Sequence, residues 1–237
     1  MNLNNKSILI TGANGGLGSI FVKNAIALGA KTIYCAARDI KTLEEIEKLS
    51  SNIKTVKLDI TNKEDVVSFA NSIDSLDIII NNAGVNSAKR VFEDSTIDFD
   101  VNVHGTLNVC KILSKKLNKQ GAIINITSVL ALANLPIMGL YCSSKAALHS
   151  LTQALRAELA KDEIDVYEVL PGPIDTNMTK GQDMPKATPE SIVSNIFEAF
   201  FNKEFEIFPD DFSKQIKQGL EANQSQVLKE FAMSINN

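Results

Sequence analysis

Tyr141 and Lys145 stand four residues apart in Tyr-Cys-Ser-Ser-Lys, at the start of a stretch where Ala147, Leu148, Leu151, Ala154 and Leu155 recur at helical spacing. Residues four apart share one helical face, so the ammonium lies one turn from the phenol. A free tyrosine has a pKa of about 10 and is a poor base at neutral pH. A neighbouring cation favours the phenolate and lowers that value. The two side chains can therefore act as a general acid/base unit. They also fit a plainer arrangement, a tyrosine opening a helix with its lysine in solvent. Ser128, upstream, ends an apolar strand pattern. Its hydroxyl can donate to a substrate oxygen as negative charge develops, or it can be a turn or cap serine. Asn102 lies within Ile97–Leu117, which reads as helical. Asparagine prefers caps and turns. In mid-helix it either bonds a water or a backbone carbonyl and bends the helix, or it is a solvated surface residue.

A second group of residues can hold phosphate. Gly12, Gly16 and Gly18 lie between a strand and a helix in Thr-Gly-Ala-Asn-Gly-Gly-Leu-Gly. Glycine allows a tight turn and close backbone approach to a pyrophosphate, which then sits at the positive helix N-terminus. Three glycines alone also fit an ordinary strand–helix turn. Farther on, Ala36-Ala37-Arg38-Asp39 closes a second strand. An NAD site typically has an acidic residue there for the ribose 2′-hydroxyl, whereas an arginine accommodates a 2′-phosphate. Asp39 directly precedes Ile40-Lys41-Thr42-Leu43 and reads as a helix N-cap.

These residues need a scaffold. Short apolar runs at Ser7–Thr11, Lys31–Ala37, Ile53–Leu58, Asp77–Asn81, Ala122–Thr127, Asp165–Leu170 and Phe205–Phe208 alternate with helical patterns. Strand–helix alternation implies βαβ units and a parallel sheet. The expected fold is α/β: a doubly wound, mostly parallel sheet of about seven strands with helices on both faces, Rossmann-like and in a single domain. Residues 176–188 read as a variable substrate-side segment and 209–237 as a helical tail. Ligands of such sheets bind at the carboxyl ends of the strands, where the glycine-rich and polar punctuation falls.

Composition excludes several classes. The chain has 237 residues and a net charge of −4, with acidic and basic residues interspersed. No basic stripe points to nucleic acid, and no apolar run approaches the roughly 20 residues of a membrane span. Polar residues Met1 to Asn5 lead straight into a strand, so no signal peptide is expected. The three cysteines, Cys35, Cys110 and Cys142, are dispersed and read as core thiols in a reducing, cytoplasmic setting. With two histidines, His104 and His149, no metal site is expected. A serine hydrolase needs Gly-x-Ser-x-Gly, whereas Ser128 sits in Ile-Thr-Ser-Val-Leu. His149 shares a helical face with Tyr141 but lies about 12 Å along the axis, which assigns it a core or interface role.

From Lys6 to about Thr176 these motifs recur in an order that resembles the short-chain dehydrogenase/reductase family: the glycine loop, Asn81-Asn-Ala-Gly84, Asn102-Val-His-Gly105, Ser128, Tyr141-x-x-x-Lys145 and Pro171-Gly-Pro-Ile-Asp-Thr176. The resemblance implies an oxidoreductase that moves hydride between a nicotinamide and a carbonyl or alcohol carbon. In it Tyr141 transfers the proton, and Lys145 lowers its pKa and holds the nicotinamide ribose. Ser128 polarises the substrate oxygen, and Asn102 holds a water that links Lys145 to solvent. Gly12, Asn14, Gly16, Leu17 and Gly18 would cradle the pyrophosphate. Asp59 and Ile60 would contact adenine, and Asn81, Ala83 and Gly84 the neighbouring ribose. Pro171, Gly172, Ile174 and Thr176 would meet the carboxamide or phosphate end. Arg38 points to NADP(H) in preference to NAD(H), which stays open. A homodimer or homotetramer is expected. Leu130, Leu132, Leu135, Met138 and Met178 can form an apolar wall for a small substrate, or simply pack the core. A non-catalytic dinucleotide sensor on the same fold is the alternative, though it has no need of Asn102, Ser128, Tyr141 and Lys145 together.

Overall fold

The computed structural model describes residues 2–236. Its seven strands are β1 (Ser7–Thr11), β2 (Thr32–Ala37), β3 (Ile53–Lys57), β4 (Leu76–Asn81), β5 (Leu117–Ile126), β6 (Asp165–Val169) and β7 (Glu206–Ile207). They form one sheet in the order β3-β2-β1-β4-β5-β6-β7. Every neighbouring pair is parallel, from Ile33 opposite Ile53 at one side to Val169 opposite Ile207 at the other. The chain winds outward from β1 through β2 and β3, then returns to β4 on the other side of β1. That reversal is the switch point where a doubly wound sheet opens a crevice.

Helices cover both faces because the strands are apolar on both. Ile8 and Ile10 of β1 belong to a core that includes Phe21 of α1 (Gly16–Ala27) and Phe197 of α7 (Pro189–Phe201). Leu9, between them, turns to the opposite core. There it joins Phe69 of α3 (Lys63–Asn71), which follows the short α2 (Glu44–Glu47), and Val109 and Leu113 of α5 (Thr106–Leu113). The period-two alternation of strand side chains makes these two layers. A third helix on this second face, α6 (Gly139–Leu159), begins just before Tyr141. After β7, α8 (Asp211–Ala232) is capped by Asp210 and kinks at Asn223. Among the described residues, no helix is long and apolar enough to cross a membrane.

Two boundaries differ from the sequence reading. The helical run from Ile97 stops at Leu113, and after a 3₁₀ turn Leu117 opens β5 instead of closing a helix. The polar residues Asn118 to Gln120 hide this strand start, because they are exposed and the pairing with β4 is irregular there. The run is also not uniform. A short α4 (Ile97–Phe99) leads into a π-helical stretch, Asp100–Gly105, before α5. Asn102 sits inside that wider turn, at a site where such bulges often serve function.

Candidate active site

The carboxyl ends of the strands enclose a cleft of about 600 Å³. At its centre, the ends of β1 and β4 are clasped together. The Thr11 hydroxyl accepts from the backbone N–H groups of Asn82 and Ala83, each at 3.1 Å, and the Asn82 amide donates to the carbonyls of Thr11 and Gly12 at 3.0 and 3.1 Å. This clasp fixes the glycine loop. Gly12 has φ +64°, and a Cβ there would meet the Ala83 Cα at 2.9 Å. A Cβ on Gly18 would collide with the Gly12 carbonyl oxygen. Beyond the loop, α1 starts without a side-chain cap and without an acidic residue in its first turn. Its positive end and backbone donors are therefore left for an anion. Gly12, Asn14, Gly16, Leu17 and Gly18 all line the cleft, as a pyrophosphate cradle requires.

On the rim beyond β2, Arg38 lines the cleft and is exposed, with no ion pair among the described residues. Asp39 caps the following turn through the Lys41 N–H at 3.0 Å, the role read from sequence, and also lines the cleft. Asp59 and Ile60 border it past β3, where Asp59 accepts from the Thr61 N–H and hydroxyl. On the opposite rim, Pro171, Gly172, Ile174 and Thr176 follow β6. Asp210 anchors this stretch by accepting from the Gly172 N–H at 2.9 Å.

Asn81 is a correction. It does not line the cleft, and its amide donates into the core, to Asn125 at 2.8 Å and to the Cys110 sulfur. Strand alternation turns its side chain toward α5. Its neighbours Asn82, Ala83 and Gly84 face the cleft instead. Of the apolar residues considered as a substrate wall, Met178 lines the cleft, whereas Leu130, Leu132, Leu135 and Met138 do not.

The catalytic candidates meet at the inner end. Ser128, Tyr141 and Lys145 line the same cleft. Asn102 is fully buried behind them. Its carbonyl accepts from the Val85 N–H at 2.9 Å, and its amide donates to the Val85 carbonyl and the Ser144 hydroxyl, both at 2.9 Å. Ser144 in turn donates to the Tyr141 carbonyl at 2.7 Å. Asn102 thus ties the strand end after β4 to the first turn of α6. The π turn lets its amide reach both.

Lys145 is nearly inaccessible and donates to the Ile126 carbonyl at 2.9 Å. Burial pulls its pKa down to about 8, against the opposing charges of Asp98 and Glu168. Burial pushes the Tyr141 phenol above its ordinary value, with the Ser128 hydroxyl acting in the opposite sense. The ammonium lies 5.7 Å from the phenol ring centre and is held by a carbonyl. The Tyr141 phenol consequently keeps its proton at neutral pH. Sequence reading missed Asp98, a fully buried carboxylate that accepts from the Ser87 N–H and hydroxyl. Nothing in its local sequence, Thr-Ile-Asp-Phe, distinguishes it from a surface acid.

An uncapped helix start, a glycine cradle and a tyrosine–serine–lysine cluster at the far end form one elongated site. The model of the short chain dehydrogenase family matches residues 6–186. This chain belongs to that family. The dehydrogenase is 30% identical over 188 residues to an uncharacterized oxidoreductase of Staphylococcus epidermidis, covering 75% of this chain and 82% of the relative. It is 32% identical over 189 residues to the 3-oxoacyl-[acyl-carrier-protein] reductase FabG of Rickettsia bellii, covering 76% and 77%. Its structure is similar to that of a short chain dehydrogenase from Burkholderia cenocepacia in complex with NADP, with a TM-score of 0.92, 33% identity and coverage of 98% and 99%. The dehydrogenase is thus an oxidoreductase of the dinucleotide-dependent kind, and the cleft has the features that such a cofactor needs.

Proposed function

We propose that the dehydrogenase uses NADP(H) to interconvert a carbonyl and an alcohol on a small, apolar substrate. The observation that carries this reading is that Ser128, Tyr141 and Lys145 line the same cleft as the glycine loop. When bound, the nicotinamide supplies or accepts the hydride at the substrate carbon. The protein manages the proton and the charge. In the reducing direction Ser128 donates a hydrogen bond to the carbonyl oxygen, where negative charge grows. Tyr141 gives that oxygen its phenolic proton. The Lys145 ammonium stabilises the phenolate left behind. Asn102 keeps the Tyr141 turn and the Val85 backbone in register. Met178 supplies an apolar contact at the cleft wall. The reductase activity in the name of the Rickettsia relative and the NADP complex of the Burkholderia protein support the reaction class and the cofactor.

The test is NADPH oxidation by purified protein against a panel of ketones and aldehydes, in the parent and in Tyr141→Phe. Loss of one hydroxyl removes the proton donor and leaves the glycine loop intact. Turnover falls by roughly 10²–10⁴-fold while NADPH affinity stays within about twofold. A Tyr141→Phe protein that retains parental turnover sinks the assignment. NADPH binding without turnover of any carbonyl in the parent would favour a dinucleotide sensor.

A further inference from the structure

The segment between β4 and α4 is gripped by two residues about one helical turn apart. Asn102 holds Val85, and Asp98, four residues earlier, holds Ser87. Asp98 is fully buried and does not line the cleft. One of its carboxylate oxygens accepts from the Ser87 N–H at 3.1 Å and the other from the Ser87 hydroxyl. Ala88, next in the chain, has φ +53°. This left-handed conformation is strained for a residue with a Cβ and persists only where the surroundings hold it. Here it is held from one side by the grip on Ser87. From the other, the Asn86 side-chain carbonyl accepts from the Ala88 N–H at 2.9 Å.

The same segment then closes on the start of α6. That helix carries Tyr141 and Lys145 and begins without a side-chain cap, so its first N–H groups need partners from elsewhere. The Lys89 carbonyl supplies one, accepting at 3.2 Å from the N–H of Leu140, the residue before Tyr141. Val91 packs so closely that a Cβ on Gly139 would meet its Cγ2 at 2.8 Å. The Asn86 amide donates to the Met138 sulfur at 3.4 Å, on the same turn. Every link from Asp98 through Ser87, Ala88 and Lys89 to the Tyr141 turn is thus a hydrogen bond or a peptide bond.

We propose that Asp98 is a positioning residue for the reaction proposed above: by holding Ser87 it fixes the segment that caps α6, and so sets where the Tyr141 phenol stands. The inference rests on that reaction, but the placement of the phenol is measurable without turnover. The protein has three tyrosines, Tyr34, Tyr141 and Tyr167. In full-length protein with ¹³Cζ-labelled tyrosine, the NMR signal of Tyr141 is identified by its loss in Tyr141→Phe. Ser87→Ala, which changes no charge, moves that signal by more than its linewidth and leaves those of Tyr34 and Tyr167 in place. Asp98→Leu moves it further. Asp98→Asn, whose amide can meet both Ser87 groups, returns it toward the parental position. Turnover with NADPH and a carbonyl substrate is measured near pH 6.5, below the Lys145 value of about 8. There Asp98→Leu lowers kcat by roughly ten- to a hundredfold, the cost of a small misplacement, while the NADPH dissociation constant stays within about twofold. Asp98→Asn restores kcat to within about threefold of the parent.

A Tyr141 signal unmoved in both Ser87→Ala and Asp98→Leu overturns the proposal. So does a loss of kcat matched by an equal loss of NADPH affinity, which is general destabilisation. Equal shifts in Asp98→Asn and Asp98→Leu, with none in Ser87→Ala, overturn it as well, because Asp98 then acts by charge alone. Should Asp98→Leu fail to fold, the Tyr141 signal in Ser87→Ala decides. A shifted signal in a protein that reduces no carbonyl supports the positioning and counts against the reductase reading.

Discussion

Arg38 is the residue on which the proposed preference for NADP(H) turns. It stands exposed on the rim, unpaired among the described residues, after two alanines that leave room for a phosphate. A guanidinium makes bidentate, charge-assisted contacts with phosphate oxygens. Such bonds contribute about 1.5–3 kcal/mol, so Arg38→Ala weakens NADPH binding by about tenfold or more and NADH binding far less. Dissociation constants for both cofactors in both proteins check this. Parent protein binding NADH as tightly as NADPH would shift the ribose contact to Asp39, which also borders the cleft. A second expectation concerns protons. Lys145 has its pKa lowered to about 8, so the ammonium is present below that pH and lost above it. Tyr141 is shifted upward and keeps its proton through this range. Carbonyl reduction therefore has a single alkaline limb, with kcat/KM falling about tenfold per unit above pH about 8. A profile that stays flat to pH 10, roughly the pKa of an unburied lysine, would show that Lys145 is not titrating as its burial dictates.

Among the elements, α1 has two duties that one sequence must serve. Its first turn presents glycines and bare N–H groups to the cleft, while its body packs the sheet. Phe21 provides much of that packing. It is fully buried and meets Phe197 of α7 edge-on, with ring centres 5.9 Å apart. Phe21→Ala removes an aromatic from a dense core and costs roughly 3–5 kcal/mol. Urea denaturation measures it, and a loss below about 1 kcal/mol would mean the core collapses to fill the space. The π turn around Asn102 is the other element tied to the site. Asparagine in mid-helix was a visible anomaly, and a π-helical stretch surrounds it. Its partners Val85 and Ser144 could not be named from sequence, because they arrive from a strand end and from another helix.

At the scale of the whole molecule, α5 and α6 lie on one face of the sheet, and Leu151 of α6 is half-buried outside the stripe by which Leu155 packs against the core. A two-fold contact between copies would cover such a surface. Light scattering at micromolar concentration is expected to give a dimer or tetramer, and a monomer would refute it. That the strands are about seven and parallel was legible in the chain itself. Hydrophobic period and glycine position are local properties, and a parallel α/β sheet has few ways to satisfy them. That Tyr141 and Lys145 share a helical face and that the glycine loop joins β1 to α1 was legible for the same reason, since spacing within one helix or turn fixes it; that Ser128 lines the same cleft was not. Which face Asn81 takes, that Lys145 is drawn to the Ile126 carbonyl, and that Glu168 meets His149 were decided only by the tertiary structure. Each depends on burial or on a partner from a distant segment. Burial and distant charge set a proton's affinity, and neither is encoded in local spacing.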